Sequence, residues 1–238
     1  MRALSLFSCG GIGELMLHDL GIEVLAANEI IESRAKVFKH LYPDTKMIIG
    51  DIKDPIIKSE ILEFKEKSPE LLLATPPCQG LSTVGKNKVS ADYTEDARNF
   101  LIFDIIEIIK EFDFKYILIE NVPKFLEMYY PYKGDFIQLI DLIKREVGEK
   151  YQVEGEVLNA KDYGVPQSRP RSIIKIYKTG VRWSMPKQQN LIPLSTSIGH
   201  LPSLKPGEDS NLKWHKAKPQ REDLTLALKH TPSGKSAL

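Results

Sequence analysis

The 238-residue sequence predicts an α/β fold with a doubly wound, mostly parallel sheet. Two observations support this fold class. Short apolar runs alternate along the chain with segments whose apolar residues recur at i, i+3, i+4 and i+7, the spacing of an amphipathic helix. Polar or acidic residues follow several of the apolar runs, at the carboxyl ends of the predicted strands, where folds of this class bind their ligands.

The order of the elements follows from the same patterns. The predicted helices cover residues 14–20, 32–42, 96–112 and 134–148, and Pro43 ends the second of them. The predicted strands are residues 2–7, 22–30, 47–52, 71–75, 116–121, 151–159 and 171–177, the last two as a hairpin-like pair. The sequence from about residue 181 is rich in Pro, Ser, Lys and Gln. We therefore expect one domain over 1–180, and a linker with the beginning of a second, incomplete domain over 181–238.

Composition and charge narrow the class of protein. The sequence contains no run of 18 apolar residues, so no transmembrane helix and no membrane partner are expected. The two cysteines, Cys9 and Cys78, exclude a disulfide framework and favour a reducing cytoplasm. The five histidines show no metal-ligand spacing with either cysteine, so no metal is expected.

The charge is distributed unevenly along the chain. Residues 1–160 carry 19 basic and 27 acidic side chains, whereas residues 161–238 carry 14 basic and 5 acidic ones. A basic C-terminal third is typical of a nucleic-acid-facing surface and also of a solvated tail.

The glycine turn "LFSCGGIG" lies between the first predicted strand and the first predicted helix. Glycines at this place let the backbone approach a ligand closely. Glu29 ends the second strand, where nucleotide-binding folds place a carboxylate on ribose hydroxyls, and Asp51 ends the third. The combination predicts an adenosine ligand. It does not separate NAD from S-adenosylmethionine, although Met16 stands where the dinucleotide pattern requires a third glycine.

The segment "PPCQGLSTVGKNK" that follows the fourth strand allows two interpretations. The part "GLSTVGKN" nearly matches a phosphate-binding loop, but Asn87 replaces the hydroxyl that would bind magnesium. The alternative is a nucleophilic thiol, because Pro76 and Pro77 make the backbone before Cys78 rigid. Glu120 ends the strand "YILIEN", from which it could act as the acid that a nucleophile requires. A buried, inert cysteine is the simpler explanation of Cys78 alone.

These motifs together resemble one family. Over roughly residues 3–178, the sequence resembles the ordered motifs of DNA (cytosine-5) methyltransferases. The matching segments are, in order, "LFSCGGIG", "NEI", "GDI", "PPCQGLS", "ENV" and "DYGVPQSRPR". The resemblance implies the class I S-adenosylmethionine-dependent methyltransferase fold, which is Rossmann-like. It also implies transfer of a methyl group from S-adenosylmethionine to C5 of a cytosine that is flipped out of DNA.

The resemblance assigns the reaction to four side chains. Cys78 would add to C6 of the cytosine, and Glu120 would hydrogen-bond and protonate N3. Arg169 and Arg171 would hold the base, with Arg171 the better candidate for its oxygen. The residues that it implies for the cofactor are Phe7, Gly10, Gly11, Glu29, Ile30, Asp51, Ile52 and Pro76, and those for DNA or substrate are Gln79, Ser82, Lys86, Arg98, Asn121 and Gln167. The stretch 79–98 corresponds to the family's loop that closes over DNA.

Two departures from the family pattern affect what we expect. Cys9 occupies the first glycine position of the first turn, and the family's full target recognition domain and closing "GN-x-V" segment are not found. The expectation is therefore a truncated chain or one part of an enzyme encoded as two polypeptides, inactive or weak alone. The family's usual setting is a prokaryotic restriction–modification system, hence a cytoplasmic, nucleoid-associated protein. The alternatives are a tRNA cytosine-5 methyltransferase and a non-catalytic, S-adenosylmethionine-binding regulatory homologue.

Overall fold

The computed structural model describes residues 1–77 and 97–232. Seven of its strands form one sheet in the order β3-β2-β1-β4-β5-β9-β8, and two more form a separate hairpin. The strands of the sheet are β1 (Arg2–Leu6), β2 (Glu23–Glu29), β3 (Lys46–Ile49), β4 (Leu71–Ala74), β5 (Tyr116–Asn121), β8 (Tyr151–Asn159) and β9 (Pro170–Lys178), and those of the hairpin are β6 (Tyr129–Tyr132) and β7 (Asp135–Gln138). All seven strands predicted from the apolar runs are therefore present.

The sheet is parallel from β3 to β5, and β9 runs antiparallel to both β5 and β8. This confirms the doubly wound, mostly parallel fold and the hairpin-like pairing of the last two strands. The inner strands β1, β2 and β4 bury consecutive residues on both faces, which is why "LLLA" is a continuous apolar run. β5 alternates buried with half-buried residues, and the edge strand β3 buries only Ile48. The main core includes Leu72, Ile117 and Ile176 from three adjacent strands.

Three of the six helices in the described residues lie where the periodicity predicts them. They are α1 (Glu32–Leu41), α2 (Pro55–Leu62), α3 (Leu101–Glu111), α4 (Leu139–Val147), α5 (Leu194–Ile198) and α6 (Glu222–Lys229). The sequence patterns did not predict α2, α5 or α6. The start of α2 has a capping signal, because the side chain of Asp54 accepts from the N–H of Ile56 and Pro55 is the first helical residue. The predicted helix 96–112 begins as a 3-10 turn, Ala97–Phe100, before α3.

The prediction of a helix over 14–20 is wrong. Residues 14–17 form turns, and only the single 3-10 turn His18–Leu20 follows, ended by Gly21 in the left-handed conformation. Seven residues between Gly13 and Gly21 are too few for a stable helix without strong packing. The side chain of Glu14 turns inward to accept a hydrogen bond from the hydroxyl of Ser5 on β1.

The prediction of a helix over 134–148 is wrong in its first turn. Residues 135–138 form β7, which pairs with β6 in antiparallel register, Tyr129 opposite Gln138. Lys133 and Gly134 both have positive φ, at 50° and 87°, as a two-residue hairpin turn requires. Tyr130 and Ile137 face the core, so the hairpin adds to the packing beside α4.

The direction of chain travel reverses between β1 and β4. From β1 the chain moves outward through β2 to β3, and from β4 it moves the other way to β5. At such a reversal the loops leave two adjacent strands to opposite sides and open a crevice above their carboxyl ends. The glycine turn follows β1, and the proline pair that precedes Cys78 follows β4.

The segment after β9 is fixed to the sheet through Trp183. Its ring packs edge-on against Tyr116 and Tyr177, with centroids 5.3 Å and 6.1 Å apart. The buried Lys175 donates to the carbonyl of Trp183 at 3.0 Å and pairs with Glu154 at 2.8 Å. The division into domains at residue 180 stays a prediction. No helix in the described residues has the length and apolar character needed to cross a membrane.

Burial of Glu14 predicts a pH-dependent stability. Loss of hydration raises the pKa of this carboxyl above its ordinary value, so the folded state holds a proton that the unfolded state releases above about pH 4.5. The free energy of unfolding then falls as the pH rises past that value. The substitution Glu14→Gln keeps an acceptor for Ser5 and removes the titration. We expect it to be more stable than the parent at pH 8, with a difference that shrinks towards pH 4 in urea titrations.

A matched control is Glu32→Gln. This exposed carboxylate pairs with Lys36, which lowers its pKa, so its contribution to stability has the opposite pH dependence. A difference between Glu14→Gln and the parent that does not change with pH would contradict the raised pKa of the buried Glu14 carboxyl.

Candidate active site

The crevice between β1 and β4 is closed at its base by backbone contacts. Thr75, the first residue after β4, donates its N–H to the carbonyl of Leu6 at 3.2 Å and its hydroxyl to that of Phe7 at 2.9 Å. The start of the glycine turn is therefore fixed against the segment that leads to Cys78. Thr75 had no assigned role in the sequence analysis, where it was only the last residue of a predicted strand.

The glycine turn has an unusual backbone. Phe7, Cys9 and Gly11 all have left-handed φ angles, at 59°, 52° and 84°. Gly11 is also packed closely, because a Cβ atom there would lie 2.4 Å from the ring of Tyr42. The Tyr42 hydroxyl donates to the Gly11 carbonyl at 2.8 Å. Glycine is thus required at residue 11 both for its φ and for its contact with the end of α1, whereas Cys9 adopts a left-handed φ without being glycine.

Glu29, at the carboxyl end of β2, holds this turn in place. The side chain is only 4% exposed, and its two oxygens accept backbone N–H groups from Cys9 at 2.9 Å and Ile31 at 2.8 Å. Hydrogen bonds to a charged group are worth about 1.5–3 kcal/mol each, so this carboxylate is well compensated for its burial. Each oxygen keeps a further lone pair, which leaves acceptors for a ligand hydroxyl.

The other residues predicted for the cofactor follow the neighbouring strands. Asp51 follows β3 and is exposed, with its Oδ1 accepting from the N–H of Lys53 at 3.0 Å. Asn28 donates to the carbonyls of Ile48 and Gly50, each at 3.1 Å, and so fixes the end of β3 to β2. The remaining side chains differ in burial: Phe7 and Gly10 are half-buried, Ile30 is exposed, and Ile52 and Pro76 are buried.

Glu120 and Arg171 meet at the end of β5. The Nε of Arg171 lies 2.9 Å from Oε1 of Glu120, and both side chains are partly exposed. The antiparallel pairing of β5 with β9 produces this contact, since Glu120 lies opposite Ile173 and Arg171 is two residues before it. The hydroxyl of Ser172 also donates to the Val122 carbonyl at 3.0 Å, which fixes β9 to the chain beyond β5.

Asn121 connects the end of β5 to the segment before Cys78. This buried amide donates to the carbonyl of Pro76 at 3.1 Å, and its oxygen accepts from the N–H of Val122 at 2.8 Å. The backbone two residues before Cys78 is therefore held one residue away from Glu120. Cys78 itself, with Gln79, Ser82 and Lys86, lies outside the described residues.

Arg169, Gln167 and Arg98 all lie at exposed positions. Arg169 is exposed, and its backbone N–H donates to Oδ1 of Asn159 at 2.8 Å. Gln167 is exposed in the turn between β8 and β9. Arg98 is exposed in the 3-10 turn before α3. Their assigned roles stay predictions. Among the described residues, no cluster of three or more His, Cys, Asp or Glu side chains could hold a metal ion.

Comparison with known proteins identifies the family. The family model described as C-5 cytosine-specific DNA methylase matches residues 1–235. The chain belongs to this family. The resemblance inferred from the motifs is therefore confirmed, and it extends through the segment beyond residue 178 that the motifs did not cover.

Two curated relatives are named as Type II methyltransferases. M1.HgaI of Avibacterium volantium is 41% identical over 238 residues, which are 100% of this chain and 67% of that protein. M.NgoPII of Neisseria gonorrhoeae is 36% identical over 190 residues, 79% of this chain and 51% of that protein. The chain thus spans between about half and two thirds of the length of these relatives.

Solved structures share the fold. A DNA modification methyltransferase encoded within a prophage of E. coli matches with a TM-score of 0.67 and 21% identity, over 96% of this chain and 64% of that one. The Dnmt2 methyltransferase of S. pombe matches with a TM-score of 0.55 and 21% identity, over 78% and 53%. These matches support the Rossmann-like, class I methyltransferase fold.

The packing of the glycine turn predicts different effects for two glycines. Gly11→Ala introduces a Cβ at a left-handed φ and against Tyr42, so we expect a loss of about 2–4 kcal/mol from the free energy of unfolding. Gly21→Ala is the matched control, because Gly21 also has a positive φ but nothing lies within 4 Å of its added Cβ. It should cost only about 1 kcal/mol. Urea unfolding of both variants measures the difference, and equal losses would show that the contact with Tyr42 is unimportant.

Proposed function

We propose that this chain carries the catalytic machinery of a DNA (cytosine-5) methyltransferase, the modification enzyme of a restriction–modification system. The observation that carries the proposal is the group formed by Glu120, Arg171 and Asn121, with the last tied to the Pro76 carbonyl. A carboxylate paired with a guanidinium lies one residue from an amide that fixes the backbone before a cysteine. Family membership and the names of the relatives support the choice of cytosine in DNA as the substrate.

The residues at the crevice fit S-adenosylmethionine. Glu29 has acceptors left for ribose hydroxyls, Asp51 is an exposed carboxylate suited to an adenine amino group, and Phe7 offers a half-buried aromatic ring for stacking. The glycine turn brings backbone close to the same place. When bound, S-adenosylmethionine supplies an electrophilic methyl group. The remaining residues proposed for it are Gly10, Gly11, Ile30, Ile52 and Pro76.

The reaction requires activation of the cytosine ring by the protein. The Cys78 thiolate forms a bond to C6, and Glu120 hydrogen-bonds N3 and delivers a proton there as negative charge develops. The electron pair then lies on C5, which takes the methyl group. Loss of the C5 proton to a base from solvent, return of the N3 proton to Glu120 and cleavage of the Cys78–C6 bond restore the aromatic ring and the free thiolate.

Arg171 is suited to support this step from one side of the carboxyl group. Its Nε contacts Oε1 of Glu120, which leaves Oε2 available for N3 of the base. Its Nη1 donates to the Pro170 carbonyl at 2.7 Å, so Nη2 is the nitrogen suited to donate to the cytosine oxygen, and Arg169 is proposed to assist from the loop before β9. The proposed DNA and substrate contacts are those of Gln79, Ser82, Lys86, Arg98, Asn121 and Gln167.

We also propose that the complete enzyme includes sequence equivalent to the remaining part of the relatives, as further chain or as a second polypeptide. The support is that M1.HgaI and M.NgoPII extend well past the matched length. That part would supply the rest of target recognition and the closing "GN-x-V" segment. A cytoplasmic, nucleoid-associated location in a prokaryote follows from the proposed activity on DNA.

Covalent trapping tests the proposed function. DNA containing 5-fluorocytosine cannot lose the C5 substituent, so the Cys78–C6 bond should persist once S-adenosylmethionine has delivered its methyl group. We expect a denaturation-resistant adduct, seen by gel shift and intact mass, that Cys78→Ala abolishes. The reaction is run with the chain alone and with the missing part of a relative added. The adduct should form mainly in the supplemented mixture.

The controls separate the alternatives. A tRNA substrate with 5-fluorocytosine tests the tRNA methyltransferase, and binding of S-adenosylmethionine without any adduct indicates a non-catalytic homologue. An adduct that survives Cys78→Ala would refute the proposed nucleophile. Full activity of the 238 residues alone would refute the need for a further segment.

The two arginines should not be equivalent. Arg171→Ala removes the partner of Glu120 and a donor to the developing negative charge, so kcat should fall by about 10²–10³-fold. Arg169→Ala, at an exposed position, should lower kcat less. Single-turnover rates at saturating DNA measure the chemical step, and urea unfolding checks that both variants are folded. Equal losses for the two variants would contradict the assignment of Arg171 as the principal arginine.

A further inference from the structure

Residues 208–217 form a short hairpin, which we term the Trp214 hairpin. Asp209 and Lys216 form an antiparallel bridge at its base. The N–H of Ala217 donates to the Glu208 carbonyl at 2.9 Å, and that of Ser210 to the His215 carbonyl at 3.3 Å. The hairpin lies in the basic third of the chain, far in sequence from the catalytic motifs.

Side-chain hydrogen bonds fix the shape of the hairpin. The hydroxyl of Ser210 lies 2.7 Å from Nδ1 of His215 and 3.0 Å from its carbonyl oxygen. Oδ1 of Asp209 accepts from the N–H of Asn211 at 2.9 Å, while Oδ2 pairs with Nζ of Lys216 at 2.5 Å. Asn211 and Trp214 both have left-handed φ angles, at 63° and 67°. For a tryptophan this backbone conformation is uncommon, and these contacts hold it in place.

The hairpin presents the tryptophan ring to solvent. Trp214 is 88% exposed, and Nζ of Lys213 lies 5.6 Å from the centre of its ring. The ring borders an open cavity of about 420 Å³, whose lining also includes Asp209, Asn211, Leu212, Lys213 and Lys216. An exposed aromatic ring of this size is costly in water, so a ligand that covers it would gain apolar burial.

The charges of the cavity lining favour an anionic ligand with a flat aromatic part. Among the described lining residues, Asp209 is the one carboxylate and is already paired with Lys216, whereas Lys213 is an exposed cation. Glu208 at the base of the hairpin accepts from the N–H of Lys205, and Lys218, the residue after the hairpin, is a further exposed cation. A nucleic acid combines phosphate groups with bases that stack on aromatic rings. A protein partner with an apolar surface would fit the ring but not the surrounding lysines.

We propose that the Trp214 hairpin is a nucleic-acid contact in which the indole stacks on an unpaired base while the neighbouring lysines bind phosphate. The proposal rests on the proposed action of this chain on DNA, and it assigns a base contact outside the residues expected from the family motifs. Stacking on an exposed ring is tolerant of base identity, so the contact contributes affinity without selecting a target sequence.

Tryptophan fluorescence tests the proposal, because Trp183 and Trp214 are the two tryptophans of the chain. In the Trp183→Phe variant the emission reports Trp214, and in Trp214→Phe it reports Trp183, which packs against Tyr116 and Tyr177. Each variant is titrated with a single-stranded oligodeoxynucleotide and with heparin, a polyanion without bases. We expect the oligonucleotide to quench Trp214 strongly, and heparin to leave it nearly unchanged.

Affinity gives a second measurement. Trp214→Ala should weaken oligonucleotide binding by about tenfold or more, while Trp214→Phe retains much of it. Lys213→Ala with Lys218→Ala should reduce the salt dependence of binding. Absence of Trp214 quenching by the oligonucleotide, or equal quenching by heparin, would overturn the proposal. Failure of the proposed function is distinct, since it would appear as loss of the Cys78 adduct whether or not Trp214 is quenched.

Discussion

The hydrogen bond from Asn121 to the carbonyl of Pro76 is the contact on which the candidate active site depends. β4 and β5 are adjacent and parallel, so their carboxyl ends emerge at one edge of the sheet. Parallel pairing alone fixes only the strands, and the chain beyond them could diverge. The buried amide ties the first proline after β4 to the last residue of β5, while Ser172 ties β9 to the next residue along. Three strand ends are thereby held together around Glu120.

A similar arrangement organises the other side of the crevice. Glu29 accepts N–H groups on both oxygens, and Thr75 donates to the carbonyls of Leu6 and Phe7. These contacts oppose the backbone strain of the left-handed residues in the glycine turn. Left-handed φ costs a non-glycine residue roughly 1–2 kcal/mol, so Phe7 and Cys9 need such support. The turn is thus shaped before any ligand arrives, which reduces the ordering cost of binding.

The sequence predicts those parts of this structure that depend on local pattern. The apolar runs "LLLA" and "YILIEN" predict inner strands, because a strand with so few polar residues is covered wholly or partly on both faces, as the residues of β4 and β5 are. The positions of Glu29 and Glu120 at strand ends follow directly. By contrast, the ion pair between Glu120 and Arg171 depends on the register of β9 against β5, which no local pattern specifies.

The wrong predictions concern segments whose structure depends on contacts with residues outside the segment. Residues 14–20 show helical spacing, yet their geometry is decided by Ser5 on β1 and by the glycines at either end. Residues 135–138 read as the start of a helix, but Lys133 and Gly134 form a hairpin turn that pairs them with β6. Tertiary pairing overrides local propensity in both segments. The sequence also does not predict that the ring of Trp214 is exposed, since it gives no measure of the exposure of a single tryptophan.

Two acids at this edge of the sheet lie in different environments. Glu29 is buried, and each of its oxygens accepts a backbone N–H group, so the side chain is fixed beside the glycine turn. Each oxygen keeps a further lone pair, so Glu29 is suited to accept hydrogen bonds from a ligand. Glu120 is partly exposed, and its Oε1 pairs with Nε of Arg171. In the proposed reaction this less enclosed carboxyl group is the one that a base can approach, so the proposed roles of the two residues agree with the difference in their burial.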